Sequence, residues 1–289
     1  MIIIKAIKCD LNKAIINVGF VGAVFMAMLL CFTAIAYMDP DTSKTYTVFE
    51  AMFTLDKKIL AEKYELASIY VFQRCLTGYI TMFIPIIVAF PFMVTFCAER
   101  NSGLMRFAIT RTGKTKYCRS KFFACCFSAG LAVMLGVCLY GIIVKLSFPD
   151  ISSYDIDPES MKMYFPKGFA EPILRTLAAA FLYGAISVMP AFFISSFCKN
   201  PYLITCVPFL LIYLWQTAVD KVYISFIAAN RWEELNKLTP YYPNSVVSGV
   251  MYGYTGDIKR NFIVFNSMYV LVLLVAFIVV MNTRKDKGV

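Results

Sequence analysis

The sequence predicts an all-α integral membrane protein with six transmembrane helices, and three observations lead there. Apolar residues make up 60% of the 289, mean hydropathy is +0.67 and only 16% of residues are charged, against about 25% in soluble globular chains. Six apolar runs, at about 17–37, 76–97, 122–144, 176–197, 202–219 and 262–282, each approach the ~20 residues that a helix needs to cross a hydrocarbon core. Lys and Arg are about twice as dense in the connectors 1–16, 98–121, 198–201 and 283–289 as in the alternate set. Such residues collect on the cytoplasmic side during insertion, so both termini are expected in the cytoplasm, with the chain multi-pass in the plasma membrane. The connectors leave room for one transmembrane domain over 1–289.

In chain order, residues 1–16 place Ile4, Ile7, Leu11 and Ile15 on one helical face, with Lys5, Lys8, Asn12 and Lys13 largely on the other. That pattern predicts an amphipathic helix lying in the membrane interface. The run 17–37 contains an Ala-x-Ala sequence at Ala34–Ala36, yet it exceeds the 7–15 residues of a signal-peptide core, which predicts an uncleaved anchor. Residues 38–75 hold Val48, Phe49, Met52, Phe53, Ile59 and Leu60 at near-helical spacing, the pattern of a helix packed on the outer membrane face. Span two contains Pro85 and Pro91; each removes a backbone donor, and packing kinks are expected.

Span three follows the 98–121 connector. After it, the loop 145–175 carries Asp150, Asp155, Asp157, Glu159 and Glu171, but their spacing matches no EF-hand pattern and a solvated external loop is expected. Span four contains Pro190, and span five begins just after Pro201, where a missing N–H costs little. Between spans five and six, Phe226, Ile227, Trp232, Tyr241, Tyr242, Val246, Val247, Met251 and Tyr252 predict short helices dipping into the outer interface. Arg284, Lys285 and Lys287 follow span six.

Composition also removes function classes. The net charge of +10 is split among short connectors rather than gathered on a module, so no nucleic-acid partner is expected. The chain has no histidine, and its ten cysteines form no Cys-x-x-Cys pair; the usual zinc sites and histidine-dependent acid–base constellations are therefore missing. The cysteines lie in apolar spans or toward the positive-rich side, and they imply no disulfide framework. Glu233-Glu234 is similar to the paired glutamates of membrane CAAX-type proteases, but the arginine expected four residues later is Leu238.

The 98–121 connector is the most distinctive stretch. Arg100, Arg106, Arg111, Lys114, Lys116, Arg119 and Lys121 stand there against a single acid, Glu99. Glu99 and Arg100 come where span two leaves the bilayer, followed by Gly103 and then Leu104, Phe107 and Ala108 on one helical face. A short amphipathic helix, a turn at Thr112-Gly113 and a second helix entering span three are predicted. On that second helix Tyr117 and Lys121 share a face.

Glu99-Arg100-Asn101-Ser102-Gly103, Arg111-Thr112-Gly113, Tyr117 and Ser120-Lys121 resemble the loop between spans two and three of the ABC-2 family of ABC-transporter permeases. The resemblance implies that this loop is a coupling helix docking on a separate ATPase subunit through Glu99, Arg100, Gly103, Leu104, Arg106, Phe107, Arg111, Tyr117 and Lys121. It further implies an N-terminal interface helix bearing Lys5, Lys8 and Lys13, a partner that is a second permease copy or a related permease, and ATP and Mg on the ATPase rather than on this chain. No G-x-x-x-x-G-K-[ST] loop occurs in the sequence, as expected of a permease that is not itself an enzyme. The implied function is export of peptides, drugs or other amphipathic compounds, with Thr77, Thr81, Thr205 and Gln216 as candidate path-lining residues. A basic Thr-Gly turn where proline is common, and a longer first outer loop, depart from the family pattern. An ion-gradient-driven transporter or channel is the alternative, disfavoured because the spans hold no Asp, Glu, Lys or Arg well inside them.

Overall fold

The computed structural model describes residues 2–40, 43–155, 159, 161, 165, 168–198 and 200–283. Asp157, Lys199 and the basic residues after span six lie outside these. Among the described residues, five helical stretches are long and apolar enough to cross a membrane, and a bent pair raises the count to six. The protein is an all-α, multi-pass membrane protein with one small β-hairpin.

The bent pair comprises α1 (Ile2–Ile15) and α2 (Val18–Cys31), which meet at 62°. Asn17 makes the break: its backbone is extended and its side chain accepts the Gly19 N–H at 2.8 Å, capping α2. At 14 residues, α2 is about 21 Å long and falls short of a hydrocarbon core. The helix expected over 17–37 thus ends at Cys31, and β1 (Ile35–Met38) pairs antiparallel with β2 (Thr45–Thr47). The turn is held from outside, since Thr33 Oγ1 accepts the Tyr79 N–H at 3.0 Å and Arg74 Nη1 donates to the Ala36 carbonyl.

The expected surface helix over 38–75 is instead a succession of short helices, α3 (Val48–Thr54), α4 (Lys57–Glu62) and α5 (Ser68–Gln73). Thr47 and Glu50 form a reciprocal capping box that starts α3. The two hydrogen bonds from Thr47 hold the Glu50 carboxyl below the usual carboxylate range.

Span two is α6 (Ile80–Ile87) followed by α7 (Phe90–Asn101). The α6 ladder stops at Ile87, four residues before Pro91, whose ring would clash with that carbonyl. Pro85 leaves the Thr81 carbonyl without its helical donor, and the buried Tyr183 hydroxyl supplies one at 2.8 Å. The connector holds α8 (Leu104–Thr112), and α9 (Lys114–Ser147) then runs for 34 residues without a break. Span four is α10 (Ala170–Ser187) with α11 (Met189–Ile194), and Pro190 begins the second piece. Span five, α12 (Pro201–Ala228), takes in Phe226 and Ile227, which were expected in the following loop. After it come α13 (Trp232–Leu238), α14 (Ser245–Met251) and α15 (Gly256–Thr283).

Helix α9 is central and packs on α1, α2 and α10. Close approach needs small residues: a Cβ on Gly130 would sit 2.6 Å from the Phe181 carbonyl oxygen, and one on Gly136 would sit 2.7 Å from Ala27 Cβ. Large apolar side chains such as Leu211, Leu214, Leu271 and Val272 remain exposed around the bundle, a surface suited to lipid.

Candidate functional site

Within the connector, α8 is flanked by glycine on both sides. Gly103 has φ +75° and Gly113 has φ +82°, backbone that L side chains rarely adopt, so α8 is set off by a sharp turn on each side. Met105 faces inward and is buried, while Leu104, Arg106, Phe107, Thr110 and Arg111 face out, Phe107 at 71% exposure. The sequence reading put Ala108 on the same face as Leu104 and Phe107. In the structure Ala108, three residues after the buried Met105, packs against the core beside it.

Behind α8 lies a cluster of charges drawn from three helices. Lys121, on α9, donates through Nζ to Asp10 Oδ1 of α1 at 2.8 Å and to Glu99 Oε2 of α7 at 2.5 Å. Lys13 Nζ donates to the other Glu99 oxygen at 2.9 Å, and Ser120 Oγ donates to Asp10 Oδ2 at 2.7 Å. The Lys121 side chain is 5% exposed, and its ammonium lies 5.3 Å from the Tyr117 ring centroid and 5.8 Å from that of Phe92. Two acids and two lysines leave the group neutral overall. A buried lysine needs such partners, because an isolated charge removed from water is costly.

Arg100 makes a second junction. Its guanidinium donates to the carbonyls of Ser195, Ser196 and Cys198, at 2.9 Å for Cys198 and 3.2 Å for Ser196. These carbonyls follow α11, so a cation caps the negative end of that helix. Lys114 Nζ reaches the Asn282 carbonyl near the end of α15 at 3.4 Å. The connector, α1 and the last turn of α15 therefore share one end of the bundle.

Of the residues singled out from sequence, Glu99, Arg100, Tyr117, Lys121 and Lys13 meet in or beside this network. Leu104, Arg106, Phe107 and Arg111 form the outward surface of α8, and Lys5 and Lys8 are exposed on α1. Asp10 was missed; its signal is that it is the single acid on α1 and borders the apolar stripe. Thr77, Thr81 and Thr205 each bond a carbonyl of the preceding turn, Gln216 is half-buried, and among the described residues none of the four lines the apolar cavities of about 670 and 470 Å³. Among the described residues no group of three Cys, Asp or Glu side chains is placed to hold a metal ion. Compared with models of known protein families and with characterised proteins, the chain matches none.

Proposed function

We propose that this chain is the permease subunit of an ABC transporter of the ABC-2 type, exporting peptides, drugs or other amphipathic compounds, with α8 as the element on which a separate ATPase subunit acts. One observation carries the reading. α8 presents Arg106, Phe107 and Arg111 outward, while the helices on either side of it, α7 and α9, are tied to α1 by the cluster of Asp10, Glu99 and the buried Lys121. Force applied to α8 would reach α7 and α9 covalently, α1 through the ion pairs, and α11 through Arg100. ATP and Mg belong to the partner, and the working unit contains a second permease, either another copy or a related chain, in the lipid of the plasma membrane. The charge bias makes the end bearing the cluster the cytoplasmic one.

The test is co-purification of an ATPase from gently solubilised membranes, comparing the native chain with an Arg106→Ala/Phe107→Ala variant. Both side chains are exposed, so the variant is expected to fold. Loss of recovery by more than about tenfold, the size of an interface hot spot, supports the reading. Absence of any ATPase beside folded native chain refutes it and leaves a gradient-driven transporter or channel as the reading to test.

A further inference from the structure

At the end of the bundle opposite the charge cluster, α9 and α10 part around a cavity of about 670 Å³. Its walls are apolar, with Ile142 and Leu146 of α9 facing Ile173 and Leu177 of α10, and Phe72 of α5 lying at the back against Gly141. Its polar side chains, Ser68, Lys145, Asp150 and Ser152, gather at one end. The volume and the few convergent polar groups are those of a ligand site, for which about 300–1,000 Å³ is usual.

The depth of this cavity follows from α9 itself. Between Lys121 and Lys145 the helix carries no charged residue, and 24 residues at 1.5 Å each separate the two lysines by about 36 Å. That is slightly more than the ~30 Å hydrocarbon thickness, so the two lysines bracket it. The apolar part of the cavity, from Cys138 to Ile142, then lies at acyl-chain depth, and the Lys145–Asp150 pair lies at headgroup depth. Leu146 is 82% exposed and Ile142 is 58% exposed, so the groove is open sideways to lipid. Over its polar end Tyr70, Phe165 and Phe169 form a row of rings, with centroids 5.8 and 5.0 Å apart. Aromatic side chains collect at such an interface.

We propose that this groove binds one membrane phospholipid with a zwitterionic headgroup. An acyl chain lies along Ile142, Ile173 and Leu177, the phosphate faces Lys145, and the headgroup ammonium faces Asp150. Lys145 and Asp150 are paired with each other in the structure, a plus–minus pair at the rim that complements a head carrying both charges. A soluble partner is disfavoured by the depth of the apolar wall. This inference rests on the membrane setting and is independent of the ATPase partner.

The test is native mass spectrometry of the purified full chain supplied in turn with phosphatidylcholine, phosphatidylglycerol and diacylglycerol. One retained phosphatidylcholine per chain, preferred over the other two, is expected. Ile142→Trp, which fills the groove, should abolish retention. Lys145→Gln should weaken it about fivefold, the size of one exposed ion pair, while Leu211→Trp, on a lipid-facing surface elsewhere, should leave it unchanged. Retention of all three lipids alike, equal loss in Leu211→Trp, or a dimer that Ile142→Trp dissociates would each overturn the proposal. Lys145→Gln changes only an exposed side chain and keeps the test decisive if Ile142→Trp does not fold.

Discussion

Replacing Lys121 with methionine keeps most of the side-chain volume and removes the ammonium that holds α1 and α7 to α9. Asp10 would keep only the Ser120 hydroxyl, and Glu99 would keep only Lys13, whose side chain is 55% exposed. Removing one partner of a buried ion pair costs about 3–5 kcal/mol, because the remaining charge is stranded. An exposed pair is worth only about 0.2–1 kcal/mol, so Lys13 cannot compensate. At about 2–4 °C per kcal/mol for a chain of this size, the midpoint of unfolding should fall by roughly 6–20 °C. A thiol-reactive dye suits the assay, since Cys97, Cys118 and Cys125 are buried and become reactive as the bundle opens. Asp10→Asn combined with Lys121→Met should cost less than the sum of the two single changes, by about 0.5–3 kcal/mol, as expected for groups in direct contact. A midpoint unchanged in Lys121→Met, or strict additivity in the double variant, would refute the cluster as a structural junction.

Three further outcomes follow from the same geometry. Arg100→Lys keeps the charge but loses the planar fork that serves three carbonyls; thermal unfolding should register a loss of about 1.5–3 kcal/mol. Tyr183→Phe should cost about 1–3 kcal/mol by orphaning the Thr81 carbonyl, and Pro85→Ala in the same chain should recover part of it by restoring the helical donor, which the same unfolding assay would read. Glu50 has a lowered folded-state pKa, so its contribution to capping α3 is fully present above the ordinary carboxylate pKa and disappears as pH falls through the lowered value. Exchange of the α3 amide hydrogens, normalised for intrinsic rate, should therefore accelerate in acid, and Glu50→Gln should remove that dependence.

The sequence made the long elements legible because hydropathy over twenty residues is a strong signal, and each of the five apolar runs expected to span after Arg74 falls largely within one of the long helical stretches. The helical spacing of Tyr117 and Lys121 placed the two on one face, but that this face is buried had no mark in the spacing. Hydropathy does not separate an apolar helix from an apolar strand, and for that reason the end of α2 at Cys31 and the strand Ile35–Met38 were hidden within one run. The partners of Arg100 were hidden for another reason: they are backbone carbonyls, which leave no mark in side-chain identity. Asp10 and Lys121 are 111 residues apart, and nothing local in either segment announces the other. The groove beside Lys145 arises only from the divergence of two helices and the placement of α5, so it too has no linear signature.

Among the spans, α9 differs in mechanical character from its neighbours. The α1–α2 pair is jointed at Asn17, α6 and α7 at Val88–Ala89, and α10 and α11 at Val188, whereas α9 is one continuous rod of about 51 Å. A jointed strut absorbs a displacement at its hinge; a stiff rod delivers at one end the tilt imposed at the other. The charge cluster and the groove therefore sit at opposite ends of a single rod, so a tilt of α9 at its Lys121 end, with α10 held in place, would displace the Lys145 wall of the cleft.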